Sequence, residues 1–382
     1  MTHSQQRRSR GRPHPAVAST RIAVRRTLSP QAGHDGVSLS PSPGDTVVVA
    51  LSGGADSLAL AAAVAFEAPK LQLRSCAVTV DHRLQDGSAE VAQQARQQAR
   101  TLGFSDAEIV TVTVTDSGQG LEADAREARY SALVDTAARR VRSGAGRAWI
   151  LTAHTRDDQA EQVLLGLVRG SGTRSLAGIA PLRSVPDHPE ITIARPFLDV
   201  PREVTEAACV AQQLSWWDDP HNTDESFLRV RARARALPRL TATLDDALGV
   251  TLRENLARTA KLAREDADAL DEIAHTAYFG SAERTDYGVT LPVAALAQLP
   301  DAVLSRVLRV AAGEVGGSAP DFGHTQEIVQ LVRNWRGQGE INLPGVAVSR
   351  KADALSFRAF SGNPRLDRCR LERTKTTEAE EP

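Results

Sequence analysis

The chain lacks any apolar run near the roughly 20 residues that a membrane-spanning helix needs. Its Arg-rich N-terminus also lacks the apolar stretch of a secretory signal. These two absences favour a cytoplasmic protein. The composition is typical of a globular protein, because 41% of the 382 residues are hydrophobic and 24% are charged. A chain of this length predicts two domains.

Cysteine is scarce, and its three copies, Cys76, Cys209 and Cys369, lie far apart without a C-x-x-C pair. This spacing argues against a disulfide framework, a zinc site and a local redox pair.

Lysine is also scarce, so nearly all the positive charge is arginine, and the formal net charge is only -1. Arginines cluster at 7–26 and at 229–239, whereas the C-terminus is acidic. The arginine enrichment is explained equally well by genome composition. A neutral total still permits a local phosphate-binding surface.

Composition shifts divide the chain into four parts. Residues 1–43 are rich in Arg, Ser, Pro and Gly and are predicted to be a disordered basic tail. Residues 44–238 form the predicted main domain, and 239–365 a smaller, mainly helical domain ending in two short strands within 341–360. Residues 366–382 are predicted to be an acidic tail.

In the main domain, apolar β-branched segments alternate with segments of helical spacing. Strands are predicted at 46–51, 74–82, 107–114 and 147–154. Such alternation predicts an α/β fold with a parallel sheet covered by helices on both faces. Ligands of these sheets bind beyond the carboxyl ends of the strands. We therefore expect Ser52–Ser57, Asp81–His82 and His154–Asp158 to lie along one edge.

The stretch SGGADS (52–57) follows the first strand directly. Gly53 and Gly54 allow a close backbone approach to an anion, and the N–H groups of the following helix point at the same position. Ser52 and Ser57 add hydroxyl donors, and Asp56 suits a Mg²⁺ ion shared with phosphates. The alternatives are an ordinary tight turn and Asp56 as a helix cap.

The segment AHTRDDQAEQVLL (153–165) begins at a strand end and continues into a helix. Asp158 and Glu161 are three residues apart, so they share a helix face and suit a cationic amine. The alternative is that the acidic residues of the first turn stabilise the helix dipole. His154 is either a core histidine or a nucleotide contact.

Two arginine patterns are candidates for binding nucleic acid. Arg126 and Arg129 lie on one face of a predicted helix, where a catalytic or tRNA role competes with simple solvation. Arg229, Arg231, Arg233 and Arg235 alternate. An extended chain would place them on one face as a row of phosphate contacts, whereas a helix would spread them around its axis.

The SGGADS stretch resembles the S-G-G-x-D-S signature of the ATP pyrophosphatases, or PP-loop enzymes. Four further segments, 79–92, 121–133, 151–183 and 195–238, resemble the tRNA(Ile)-lysidine synthetase family. The resemblance covers about residues 44–238 in order and is weaker through 341–358. One departure is Val230, which stands where the family pattern has Asn after the first arginine of the basic row.

The resemblance implies a PP-loop (adenine nucleotide alpha hydrolase-like) catalytic domain and a C-terminal tRNA-binding domain. It implies ligation of L-lysine to C2 of the wobble cytidine in CAU-anticodon tRNA(Ile), through adenylation of the base with ATP and Mg²⁺. Lysidine would change the codon read from AUG to AUA.

The resemblance also implies roles for individual residues. The loop from Ser52 through Gly53, Gly54, Ala55, Asp56 and Ser57, together with Asp81, His82 and His154, would bind ATP, with Asp56 on the metal. Asp158 and Glu161 would bind lysine, and Arg229, Arg231 and Arg233 would bind tRNA. Asp56, Asp158 and Arg126 would be catalytic.

Other readings stay open. A PP-loop tRNA thiolase would share the loop but needs sulfur-carrying cysteines or an iron–sulfur cluster. A ligase with a small acceptor would leave the arginine row without a role, and a non-enzymatic tRNA-binding protein would leave the glycine loop without one. A homodimer is possible.

Overall fold

The computed structural model describes residues 12–29, 40–85, 87–118, 120–144, 146–219, 224, 228–285, 288–316 and 319–360. The predicted acidic tail at 366–382 and Cys369 lie outside these residues.

The chain divides into two compact units, Met1–Ala263 and Arg264–Pro382. The division falls later than the expected domain boundary at 238/239. The physical reason is that the helical segments after residue 236 still pack in the first unit. Leu237 is buried there, and Arg253 is ion-paired with Asp157.

The first unit is built on a sheet whose described strands follow the predicted alternation. They are β1 (Thr46–Ala50), β2 (Arg74–Asp81), β3 (Ala107–Thr111), β4 (Ala148–Leu151), β5 (Leu182–Val185) and β6 (His188–Ala194). Their order is β3-β2-β1-β4-β6-β5, and all pairs are parallel except β5 with β6. The predicted parallel α/β sheet is confirmed, whereas the antiparallel edge hairpin was not predicted.

Helices cover both faces of this sheet. Those described in the first unit are α1 (Pro15–Leu28), α2 (Ala55–Glu67), a 3-10 helix (Ala68–Leu71), α3 (Ser88–Leu102), α4 (Leu121–Arg142), α5 (Arg156–Val168), α6 (Thr173–Leu176), α7 (Arg202–Ala211), α8 (Leu228–Arg231), a π-helix (Ala232–Ala236), α9 (Leu237–Leu248) and the start of α10 (Leu252–Phe279). Val47 and Val49 pack in one core with α1, α2 and α7. Val48 packs in a second core with α4. The two faces alternate along the strand because successive side chains of a strand point to opposite sides.

Residues 15–28 correct the prediction of a disordered tail. They form α1, which begins with Pro15 at its first turn and buries Val17, Val24 and Leu28. Arg25 pairs with the buried Glu67, with Nη2 2.8 Å from Oε1. The Arg-rich composition concealed an apolar stripe at helical spacing, so the prediction of disorder is wrong for this segment. Residues 1–11 and 30–39 lie outside the described residues.

The parallel register brings three strand ends to one edge of the sheet. Ala50 pairs with Val78, and Val49 pairs with Leu151, so the chain leaves β1, β2 and β4 side by side. The SGGADS loop, His82 and His154 follow these strands directly.

The second unit contains a five-stranded antiparallel sheet and helices around a core of its own. Its described strands are β7 (Glu283–Thr285), β8 (Gly288–Pro292), β9 (Ile341–Leu343), β10 (Val346–Lys351) and β11 (Ala354–Ala359), and its further helices are α11 (Val293–Ala297), α12 (Asp301–Glu314) and α13 (Phe322–Arg333). The sequence predicted two strands near the end of this unit, and the structure has three there. The strands are short, and short strands give weak period-2 patterns. Within the described residues of both units, no helix is long and apolar enough to cross a membrane.

Candidate active site

The SGGADS loop joins β1 to α2 at the carboxyl edge of the sheet. Gly53 has φ +87°, a left-handed conformation that favours glycine, and its carbonyl accepts a hydrogen bond from Trp217 N at 3.1 Å. Gly54 is the N-cap of α2, and no side chain of the described residues caps this end. The first N–H groups of the helix are therefore available to an anion.

The two serines of the loop hold its shape. Ser57 Oγ donates to the Gly54 carbonyl at 2.8 Å and accepts from Ser52 N at 3.2 Å. The Ser52 hydroxyl also lies 3.2 Å from Ser57 Oγ. Ala55 begins α2 between Gly54 and Asp56. These bonds hold the loop in one shape with its N–H groups able to bind an anion, and it has no lysine, unlike the G-x-x-x-x-G-K-[ST] loop.

Asp56 lies in the first turn of α2 and faces α7. Its carboxylate accepts hydrogen bonds from the Thr205 hydroxyl and from Arg202 Nε, the latter at 3.2 Å. Burial raises the pKa of Asp56, and the positive charge of Arg202 only partly offsets this effect. Folding therefore disfavours the ionised form of this carboxylate relative to the unfolded chain.

The fit of Asp56 to a metal ion follows from the donors around it. No group of three or more His, Cys, Asp or Glu in the described part of the chain could hold a metal ion. Mg²⁺ commonly uses one or two carboxylates together with substrate phosphates and water. One carboxylate beside an uncapped helix end therefore fits a Mg²⁺ ion that arrives with a nucleotide. It does not fit a resident metal held by protein ligands alone.

The next two strand ends carry Asp81, His82 and His154. Asp81 is buried at the end of β2, and its Oδ1 accepts from Arg83 N at 3.0 Å. Nδ1 of His82 is buried without a hydrogen-bond partner in the described structure, and burial and Arg129 lower the pKa of this histidine.

His154 lies after β4, and one of its ring nitrogens, Nδ1, is 2.9 Å from Thr152 Oγ1. Burial lowers the pKa of His154 to about 3, and nearby arginines add to this effect. The ring is therefore neutral near pH 7 and can take part in neutral hydrogen bonds to a base or sugar.

Helix α5 presents its acidic residues to the centre of the site. Asp158 Oδ2 accepts from Thr155 N at 2.7 Å and from Thr155 Oγ1 at 3.0 Å, so Asp158 does close a capping box. Its other oxygen, Oδ1, is bound by arginines. Glu161, one turn further on, is 1% exposed. The capping role and the cation-binding role are therefore carried by different oxygens of one carboxylate.

Three arginines neutralise these two carboxylates. Asp158 Oδ1 lies 3.2 Å from Arg202 Nη2, 3.0 Å from Arg233 Nη2 and 3.6 Å from Arg229 Nη2. Glu161 accepts from Arg233 Nε at 2.6 Å and from Arg229 Nε at 3.4 Å. Burial alone would raise the pKa of Asp158, but Arg202 and its other neighbours lower it to about 2. Asp158 is therefore ionised at any physiological pH.

The arginine segment is helical, so the extended alternative is wrong. Arg229 and Arg233 are four residues apart and face α5 together, whereas Arg231 is exposed. A π-helix at Ala232–Ala236 follows directly, and such turns are frequent at functional sites.

Arg126 lies on α4, at the other side of the site, with its guanidinium carbon 5.0 Å from the centre of the Tyr130 ring. Its charge is one of those that lower the pKa of His154. The charges of Arg126 and Asp158 thus both act on His154, with opposite effects on its pKa.

Several residues of the site were not predicted. Arg202 connects Asp56 to Asp158, Thr205 binds Asp56, and Asp157 accepts from Arg202 N at 2.9 Å. Arg253 also pairs with Asp157. The signal for Arg202 in the sequence is weak, because an isolated Pro-Arg-Glu at a helix start is usually a surface feature. The packing of α7 against α2 brings Arg202 to these two carboxylates.

A glycine loop after the first strand of a parallel sheet, followed by an uncapped helix and an aspartate, defines a PP-loop nucleotide-binding domain. The sequence agrees with known protein families. Residues 31–240 match the family described as a PP-loop domain, and residues 291–356 match the TilS substrate binding domain. The chain is 47% identical over 362 residues to the tRNA(Ile)-lysidine synthase of Streptomyces coelicolor, covering 89% of this chain and 97% of that relative. It is also 47% identical over 347 residues to that of Salinispora arenicola, covering 90% and 96%. The chain belongs to the tRNA(Ile)-lysidine synthase family.

A more distant solved structure shows the same fold. The U34-tRNA thiolase NcsA from Methanococcus maripaludis, with its 4Fe-4S cluster, matches with a TM-score of 0.50 at 18% identity. The match covers 65% of this chain and 79% of that one. At this identity, the likeness concerns the fold alone.

Proposed function

We propose that this chain ligates L-lysine to the wobble cytidine of CAU-anticodon tRNA(Ile), with ATP as the activating substrate. The observation that carries the proposal is the position of Arg202, whose guanidinium binds Asp56 of the glycine loop and Asp158 of α5. This contact supports the view that the SGGADS loop and the acidic face of α5 serve one site. Membership of the family supports the same reaction.

In the proposed reaction, O2 of the cytidine attacks the α-phosphate of ATP and pyrophosphate leaves. The amine of the lysine side chain, in its neutral form, then attacks C2 of the adenylated base; the C2–N bond forms, the C2–O bond breaks, AMP leaves, and the protons released pass to solvent water. Adenylation turns a poor leaving oxygen into a good one and divides one difficult step into two. The loop from Ser52 to Ser57 would hold the phosphates through N–H groups and hydroxyls. Mg²⁺, with Asp56 as one ligand, would offset negative charge on the phosphates.

Asp158 and Glu161 would bind the cationic lysine side chain. The low pKa of Asp158 suits it to hold a cation and makes it a poor proton acceptor. We therefore assign Asp158 to orientation of lysine. His154, neutral at physiological pH, would contact the nucleotide or the activated base together with Asp81 and His82. Arg126 remains the catalytic candidate on the tRNA side of the site.

The cysteine thiols of the described residues give less support to the alternative that the chain is a tRNA thiolase. Cys76 and Cys209 are buried in the two separate cores of the first unit, and burial raises the pKa of each to about 12. A protonated, buried thiol is a poor nucleophile and a poor sulfur carrier. The third cysteine, Cys369, lies outside the described residues.

The experiment that tests the proposal is incorporation of radiolabelled lysine into a tRNA(Ile) transcript with a CAU anticodon, in the presence of ATP and Mg²⁺. A methionine tRNA, which shares the anticodon, is the specificity control. We expect label on the isoleucine tRNA only and its loss in Asp56→Asn. The matched control is Asp135→Asn on the exposed side of α4, which should retain activity. ATP-dependent release of pyrophosphate with another acceptor, and no labelled tRNA, would contradict the lysine assignment.

A further inference from the structure

Four arginines surround the side chain of Tyr130 on α4. The guanidinium carbons of Arg126, Arg129 and Arg183 lie 5.0, 5.6 and 5.3 Å from the centre of its ring. Arg195, which follows β6, donates from Nη2 to the Tyr130 hydroxyl at 3.4 Å. Four positive charges thus lie around the ring, two from α4, one from β5 and one from the residue after β6.

Carboxylates of the described residues do not balance these charges. None of the four arginines forms an ion pair with a described Asp or Glu, whereas the arginines opposite α5 all do. Arg195 is only 5% exposed, and its Nε is buried without a partner in the described structure. Burial would raise the pKa of Tyr130, but Arg195 and Arg126 outweigh it and lower that pKa. An arrangement of this kind is stabilised by a bound anion.

The cluster is separate from the glycine loop. Tyr130 packs on the core that contains Val48, whereas α2 packs on the opposite face of the sheet with Val47 and Val49. The cluster still borders the active site, because the charges of Arg195 and Arg126 help to lower the pKa of His154. Arg183 is exposed, so the cluster opens to solvent on the side of β5.

We propose that the Tyr130 arginine cluster binds a backbone phosphate of the tRNA beside the target base. This inference rests on the proposed function. Guanidinium groups bind phosphate oxygens in a bidentate manner, and the cation–π contacts with Tyr130 hold three of them ready. The phosphates of ATP already have their own donors at the start of α2. A phosphodiester contact here anchors the anticodon strand without reading its sequence.

The test is the salt dependence of tRNA binding by the full chain, measured for the wild type, Arg183→Gln and Arg183→Lys. Each phosphate contact contributes about 0.7 to 0.9 to the slope of log K against log salt. We expect Arg183→Gln to reduce the slope by about 1 and to weaken binding roughly tenfold at low salt. The loss should be equal for isoleucine and methionine tRNAs, and Arg183→Lys should restore most of it.

Two further measurements make the result decisive. Arg74→Gln changes an exposed arginine at the first residue of β2, the opposite edge of the sheet, and should leave the slope unchanged. The KM for ATP should be the same in Arg183→Gln and the wild type. An unchanged slope in Arg183→Gln, or a raised KM for ATP with normal tRNA affinity, overturns the inference while leaving the proposed function intact. A wild-type protein that binds no tRNA overturns both.

Discussion

Arg233 donates two hydrogen bonds to Glu161, from Nε to Oε1 at 2.6 Å and from Nη2 to Oε2 at 3.0 Å. Glu161 is almost fully buried and is ion-paired with both Arg229 and Arg233. Under the proposed function, lysine must therefore displace an internal cation. A buried carboxylate that is always paired avoids the cost of an isolated charge.

We expect Arg233→Gln to lower the KM for lysine about three- to tenfold, because a competing cation is removed while glutamine can still donate a hydrogen bond to Glu161. Steady-state lysine titrations at saturating ATP and tRNA measure this effect. Arg239→Gln, an exposed change on the neighbouring α9, is the control and should leave KM unaltered. A raised KM for lysine in Arg233→Gln would show that Arg233 supports lysine binding instead of competing with it.

Asp56→Asn should abolish activity and yet stabilise the protein at neutral pH. The pKa of Asp56 is raised in the folded state, so folding disfavours its ionised form. This cost is absent below the pKa of the unfolded chain and fully present above the raised pKa, so stability is lost as pH rises through that range. Asparagine carries no such cost.

Thermal unfolding between pH 4 and pH 7 measures this difference. The Tm advantage of Asp56→Asn over the wild type should grow with rising pH. A Tm of Asp56→Asn below that of the wild type at pH 7 would mean that the ion pair of Asp56 with Arg202 stabilises the fold by more than the burial of the carboxylate destabilises it.

Asp158→Asn should act in the opposite direction on stability. The pKa of Asp158 falls from its ordinary 3.8 to about 2, because Arg202 and other neighbours outweigh burial. The depressed pKa stabilises the fold by about 2 kcal/mol above the unfolded pKa, and this contribution is lost as pH falls from about 4 to about 2. We expect a loss of this order at pH 7, together with loss of lysine ligation.

Urea unfolding at pH 7, compared between Asp158→Asn and Asp135→Asn, checks the sign and size of the effect. Equal stability of Asp158→Asn and the wild type would indicate that the arginines find other partners when the charge is removed.

The sequence predicted the strand exits well because the underlying signal is local. Val47–Val49 followed by Gly53 and Gly54 specify a buried strand and a turn by residue type alone, and the parallel order of β1, β2 and β4 follows from the strand–helix alternation. The carboxylates Asp158 and Glu161 were similarly evident from their spacing on one helix.

The partners of those carboxylates could not be predicted, because they come from distant segments. Arg202 lies 146 residues after Asp56 in the chain, and no local pattern indicates that the two side chains meet. Tyr130 is likewise an ordinary helix residue until Arg183 and Arg195 are brought beside it. Tertiary packing decides which arginines become paired and which remain available to an anion.

Helix α1 packs against α2. Its buried Val24 is 0% exposed, and Arg25 partners the buried Glu67 on α2, the helix that begins with the nucleotide loop. Deleting residues 1–28 uncovers this apolar surface and leaves Glu67 with Lys70 as its remaining described partner. We expect a loss of several kcal/mol in unfolding free energy, and at about 2–4 °C per kcal/mol a clear fall in Tm.

Deleting residues 1–11 alone is the matched control, because it keeps the described contacts of α1. The single change Val24→Ala should cost about 2 kcal/mol through lost burial and the cavity left behind. If α1 does not contribute to the stability of the fold, both the 1–28 deletion and Val24→Ala will unfold at the wild-type temperature. A fall in Tm in both, with a raised KM for ATP in the deletion, would establish that α1 supports the start of α2 and, through it, the nucleotide loop.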